Sequence, residues 1–105
     1  MDESPTLIDY WTVDGSRREA LIARLLELIR DDVVHRPGFV SARVYESTDG
    51  AAVMVSVQMG TTKERQALTD SRELRAALRE LRAIAQSHDR LYRLVESFGE
   101  PVELL

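Results

Sequence analysis

The sequence predicts one α+β domain whose elements run strand, helix, strand, strand, helix, strand. Three observations carry this. Two stretches place apolar residues at helical spacing, and four short stretches are rich in β-branched and aromatic residues. A turn signal, Ser47-Thr-Asp-Gly50, joins the middle two strands into a hairpin. A split βαβ order of this kind is the ferredoxin-like plan: a four-stranded antiparallel sheet with both helices on one face.

Residues 1–5 read as a disordered lead-in, 6–99 as the domain and 100–105 as a C-terminal tail. Thr6 to Val13 is a strand closed by the turn pair Asp14-Gly15. Ser16 with Glu19 three residues later has the pattern of a capping box. Leu21, Leu25, Leu28 and Ile29 then form the apolar stripe of a helix, widened by Ile22, Leu26 and Val33, and Pro37-Gly38 stops it. Phe39 to Glu46 and Ala51 to Met59 are the hairpin strands. Thr61 or Thr62 caps the second helix, on which Leu74, Leu78, Leu81 and Ala85 recur, and Leu91 to Phe98 reads as the last strand.

The 105 residues, 44% of them hydrophobic, suit one globular domain. A net charge of −4 excludes a general nucleic-acid binder, which needs a basic footprint for phosphates. With no cysteine there is no disulfide, thiol catalysis or thiolate metal site. The acidic start Met-Asp-Glu-Ser-Pro is unlike a secretory signal, and no apolar run approaches the ~20 residues of a membrane span. A cytoplasmic protein, without membrane or nucleic-acid partners, is expected.

Side chains alternate faces along a strand, so each strand divides into two sets. One set, including Ile8, Tyr10, Val40, Ala42, Val44, Val53, Val55, Val57, Met59, Tyr92, Leu94 and Phe98, is expected to meet the helices. The other carries Leu7, Asp9, Trp11, Val13, Phe39, Arg43, Tyr45, Met54, Leu91, Arg93 and Val95. Two helices of about 10 Å diameter cover only one face of a sheet roughly 19 Å wide. The second face would leave a large apolar patch in water, which a second copy of the same sheet covers most simply. A homodimer through the sheet, with Trp11, Arg43, Tyr45 and Arg93 in the interface, is therefore expected.

From Leu7 to Phe98 the chain resembles the antibiotic biosynthesis monooxygenase family of the dimeric α/β-barrel superfamily. The resemblance rests on the element order, the Gly15 turn before the first helix, the Pro37-Gly38-Phe39 entry to the second strand, and Val55-Ser-Val-Gln-Met-Gly60 leading into the second helix. It implies a homodimer with one pocket per subunit between sheet and helices. It also implies, for several members, oxidation of aromatic polyketides or quinols by molecular oxygen without metal or flavin. The substrate's own carbanion reduces the oxygen, so the protein binds, deprotonates and shields. Three departures narrow this. The chain contains no Asn to match the pocket Asn of characterised members, and Met59 stands where many carry a Trp. Leu68 or Thr69 stands where the haem-degrading branch has a His, which argues against haem degradation.

Within that frame Tyr10 and Tyr92 are the polar handles expected on the helix-facing set, where a phenol can stabilise an enolate oxygen. The plainer reading is a core tyrosine bonded to backbone or water. His88 is the candidate general base, with His35, Met59 and Val57 as substrate contacts. His35 also suits a helix C-terminus as a cation, and loop histidines are commonly just solvated. Two isolated histidines do not make a metal site, and no nucleotide-binding loop is present, so no cofactor is expected. Arg72, Arg75, Arg79 and Arg82 line one side of the second helix, flanked by Glu73 and Glu80, and read as a solvated face. The function expected is a cofactor-independent monooxygenase acting on a small aromatic, polyketide- or quinol-like substrate. The alternatives are a non-catalytic ligand-binding dimer and a polyketide cyclase on the same fold.

Overall fold

The computed structural model describes residues 4–99. Its elements are β1 (Thr6–Val13), α1 (Arg18–Asp31), β2 (Phe39–Glu46), β3 (Ala52–Met59), α2 (Thr62–Thr69), α3 (Arg72–Leu81) and β4 (Ala85–Tyr92), with single 3-10 turns at Gly15–Arg17 and Val33–His35. The strands form one antiparallel sheet in the order β2-β3-β1-β4, the ferredoxin-like arrangement. Of the expected lead-in, 1–3 lie outside the described residues, as do 100–105 of the tail. Ser4 is buried, and its carbonyl accepts a hydrogen bond from Gln58 Nε2 at 2.9 Å.

Local chemistry sets the boundaries. Asp14, rather than Ser16, caps the turn into α1: its Oδ1 accepts from Ser16 N at 3.0 Å. Thr61 Oγ1 accepts from Glu64 N at 3.1 Å and donates to Glu64 Oε1 at 2.9 Å, so Thr61 caps α2 and the Glu64 carboxyl holds the capping hydroxyl. The second expected helix is two. Ser71 adopts an extended backbone and its Oγ accepts from Leu74 N at 3.2 Å, which ends one helix and starts the next. Gly50 closes the β2–β3 turn at φ +77°, a conformation that favours glycine.

The last strand is displaced from its expected position. It spans Ala85–Tyr92, pairing with β1 from Val13↔Ala85 to Thr6↔Tyr92, and Leu91 to Phe98 mostly follows it. The polar run Gln86-Ser-His-Asp-Arg90 is tolerated because β4 is an edge strand, where charges also discourage pairing with other sheets.

The faces of β1 are inverted relative to expectation. Leu7, Asp9 and Trp11 lie opposite Val57, Val55 and Val53, and this side meets the helices. Trp11 is fully buried, at the centre of a core with Leu21, Leu25, Val53, Met59 and Leu68. It therefore cannot belong to an interface between subunits. Burying an indole of about 200 Å² contributes roughly 5 kcal/mol. That exceeds the cost of carrying Asp9 in on the same side, about 3 kcal/mol from its rise in pKa to about 6. In β2 a bulge between Phe39 and Ser41 puts Phe39 against the core and leaves Val40 59% exposed, again the reverse of the alternation expected.

Among the described residues no helix lies over the opposite face of the sheet. It carries Ile8 and Tyr10 from β1, Arg43 and Tyr45 from β2, Met54 from β3, and His88, Arg90 and Tyr92 from β4. Arg93 follows the end of β4.

Candidate functional site

The strand inversion redistributes the expected site residues. Tyr10 and Tyr92 are not in the helix-facing core; both are about half exposed on the open face, at 45% and 48%. His88 lies directly across from Tyr10 on that face. Met59 and Val57 do face the helices and are buried, and His35 is exposed in the turn after α1. The constellation thus divides. Tyr10 and His88 come together, while Val57 lines a cavity on the other side of the sheet. Met59 and Tyr92 share a groove of about 490 Å³ at the strand ends, with Arg93 beside them.

Between the sheet and the helices lies a cleft of two lobes that share Leu7, Asp9, Leu68, Leu74 and Leu78. The inner lobe, about 60 Å³, is walled by Leu25, Ile29, Val33, Val55 and Val57. The outer lobe, about 300 Å³, adds Thr69, Arg75, Arg79, Arg82 and Asp89 at its mouth. Apolar walls with a few converging polar groups are the usual make-up of a small-molecule site, and 300 Å³ is at the lower end of the usual size. A larger groove of about 610 Å³ runs past Thr12–Asp14 and Arg82–Gln86, but no buried titratable group lines it.

Asp9 is the buried carboxylate of the cleft and lines both lobes. It is 9% exposed, and its Oδ1 has no hydrogen-bond partner among the described residues. Its pKa is pushed up to about 6, first by burial and then by the neighbouring carboxylate of Asp89, against smaller downward pulls from Arg82 and Trp11. Trp11, two residues on along the same face, is near enough to influence Asp9, yet its buried Nε1–H makes no hydrogen bond of good geometry among the described residues. An under-solvated carboxylate that titrates near neutrality is what a general base requires. The signal for it was a lone carboxylate among Leu7, Trp11 and Val13, and only the parity of β1 concealed its meaning.

Among the described residues no three His, Cys, Asp or Glu side chains are grouped to hold a metal ion, and no helix is long and apolar enough to cross a membrane.

No family model and no curated protein matches the sequence. Solved structures do match the fold. SnoaB, a cofactor-independent oxygenase from Streptomyces nogalater, is similar at a TM-score of 0.71 and 16% identity, over 93% of this chain and 99% of that one. A protein of Deinococcus radiodurans, provisionally named an antibiotic biosynthesis monooxygenase, is similar at a TM-score of 0.78 and 9% identity, over 92% and 98% of the two chains. A provisionally named monooxygenase from Shewanella loihica shares 26% identity at a TM-score of 0.67, over 92% and 99%. This chain has the fold of the antibiotic biosynthesis monooxygenases.

Proposed function

We propose that this protein is a cofactor-independent monooxygenase that oxidises a small aromatic, polyketide- or quinol-like substrate in the cleft between sheet and helices. The observation that carries the reading is Asp9, a buried carboxylate with a pKa near 6 in an apolar cavity. The fold shared with SnoaB supports it.

The chemistry asks little of the protein. Asp9 removes a proton from an acidic ring C–H or phenol O–H. The resulting anion gives one electron to molecular oxygen, and recombination of the two radicals forms a C–O bond to a peroxide. The peroxide takes the proton back from Asp9, and loss of water leaves a carbonyl. For a methylene carbon the balance is CH2 plus O2 to C=O plus H2O. The leucines of the inner lobe exclude water, which strengthens every electrostatic interaction with the anion.

The protein acts as a homodimer through the open face, with Arg43 and Tyr45 in the interface and Tyr10, His88 and Tyr92 now included. The pairing of Tyr10 with His88 favours a second reading, in which the reacting groups lie on that face and the partner closes over them. Oxygen consumption with an anthrone or a dihydroquinone separates the two. Under the first reading Asp9→Asn abolishes turnover and His88→Ala retains it; the reverse pattern moves the site to the open face. A wild type no faster than buffer across such a panel leaves a non-catalytic ligand-binding dimer as the better account.

A further inference from the structure

We infer that the ligand of the cleft is an anion, an aromatic acid whose carboxylate is held at the mouth by Arg79 while its ring enters toward Asp9. The inference rests on the cleft being the binding site, as proposed above, but not on the ligand being oxidised.

Three guanidinium groups of α3, those of Arg75, Arg79 and Arg82, line the outer lobe. Two are already engaged. Arg75 donates to the Thr69 carbonyl at 2.9 Å and pairs with Asp70 at 3.4 Å. Arg82 donates to Ser87 Oγ at 3.0 Å and is the cation whose field acts on Asp9. The Arg79 guanidinium has neither an ion pair nor a hydrogen bond among the described residues. Its place in the last turn of α3 suits a cation, but that weak, solvent-screened interaction leaves the planar fork of donors unused.

The charges facing this mouth are Asp9 and Asp89, which lie opposite each other on β1 and β4. Asp70 offsets Arg75, and Arg79 with Arg82 balances Asp9 and Asp89 in number, so Arg79 is distinguished by contact alone: of the three guanidinium groups at the mouth it is the one that no carboxylate, carbonyl or hydroxyl touches among the described residues. A cation standing free beside an apolar cavity selects a ligand with an apolar body and one anionic end. A carboxylate matches the guanidinium fork in a bidentate manner.

The test compares two inert probes by isothermal titration calorimetry, 6-hydroxy-2-naphthoate and 2-naphthol, which differ only in the carboxylate. Wild type is expected to bind the acid about 10-fold more tightly than the neutral phenol, the ratio of one charge-assisted hydrogen-bonded contact. Arg79→Gln brings that ratio close to one, Arg79→Lys keeps part of it, and Arg79→Glu reverses it. Equal affinities in the wild type, or a preference untouched by Arg79→Gln and Arg79→Glu, overturn the inference. Failure of both probes to bind at millimolar concentration overturns it together with the cleft as binding site. An Arg79-dependent preference without oxygen consumption upholds it and removes only the oxygenase reading.

Discussion

Replacing Asp9 with Asn should make the protein more stable at alkaline pH and inactive, and the two effects share one cause. The folded pKa of about 6 against the ordinary 3.8 means that the native state holds the proton more tightly than the unfolded chain does. Between those values the folded state carries more bound protons, so stability falls as pH rises through the window and the full penalty applies above it. A rise of this size corresponds to about 3 kcal/mol. Asn carries no charge but leaves a buried amide incompletely paired, so the net gain at pH 8 is about 1–2 kcal/mol. For a domain of this length that raises Tm by roughly 4–16 °C. The gain should disappear below pH 4, where the native carboxyl is already neutral. Thermal unfolding of both proteins from pH 3.5 to 8 measures it directly. In parallel, kcat of the wild type should rise through an apparent pKa near 6 and level off, while the variant loses about 100-fold or more. A variant less stable than wild type at pH 8, or a carboxyl resonance of Asp9 titrating near 4 by NMR, would refute the reasoning.

Other outcomes follow from the packing. Trp11→Ala should cost about 3–5 kcal/mol in denaturant melts at any protein concentration, since the indole fills the subunit core and not an interface. Tyr10→Asp, at a half-exposed site on the open face, should dissociate the proposed dimer while leaving each subunit folded; a variant that sediments as an intact dimer, or a wild type that sediments as a monomer, would remove that face as the interface. Gly38→Ala should destabilise by about 2 kcal/mol, measured by chemical unfolding. The residue sits at φ +83°, and a Cβ there would lie 2.1 Å from the Glu64 carboxyl that completes the cap of α2. Ser71→Ala should cost about 1 kcal/mol, because its hydroxyl both caps α3 and accepts from Arg36 Nη2 at 2.8 Å.

The architecture was legible because its signals are local. Helical periodicity, the Ser47–Gly50 turn and the Pro37-Gly38 stop each act within a few residues, and together they imposed the element order. The position of β4 was not local. Leu91 to Phe98 looks more like a strand than Ala85 to Tyr92, but the eight pairings to β1 and the short exit from α3 at Leu81 determine which residues reach the sheet. Edge position removes the requirement that such a strand be apolar, so hydrophobicity pointed to the wrong stretch. The break between α2 and α3 was written in Asp70-Ser71, yet a good cap inside an apolar periodic run is easily read as part of one helix.

The candidate site was hidden by a decision between two faces of one strand. In Thr6–Val13 both parities are apolar enough to be buried, and Asp9 weighs against the set that contains Trp11. Treating a carboxylate as a surface marker sends Asp9 outward and takes Trp11 and Leu7 with it, because a period of two moves every side chain together. The physical comparison runs the other way. A carboxylate can meet burial by a rise in pKa that costs about 3 kcal/mol. An exposed indole forfeits roughly 5 kcal/mol of apolar contact and has no equivalent escape. The strand therefore turns its tryptophan inward, and the charge goes with it into a cavity walled by leucines. That same constraint gives Asp9 a pKa useful at neutral pH. The base proposed here is thus a consequence of where the tryptophan must go, and on that proposal a stabilising repair of Asp9 removes the chemistry along with the strain.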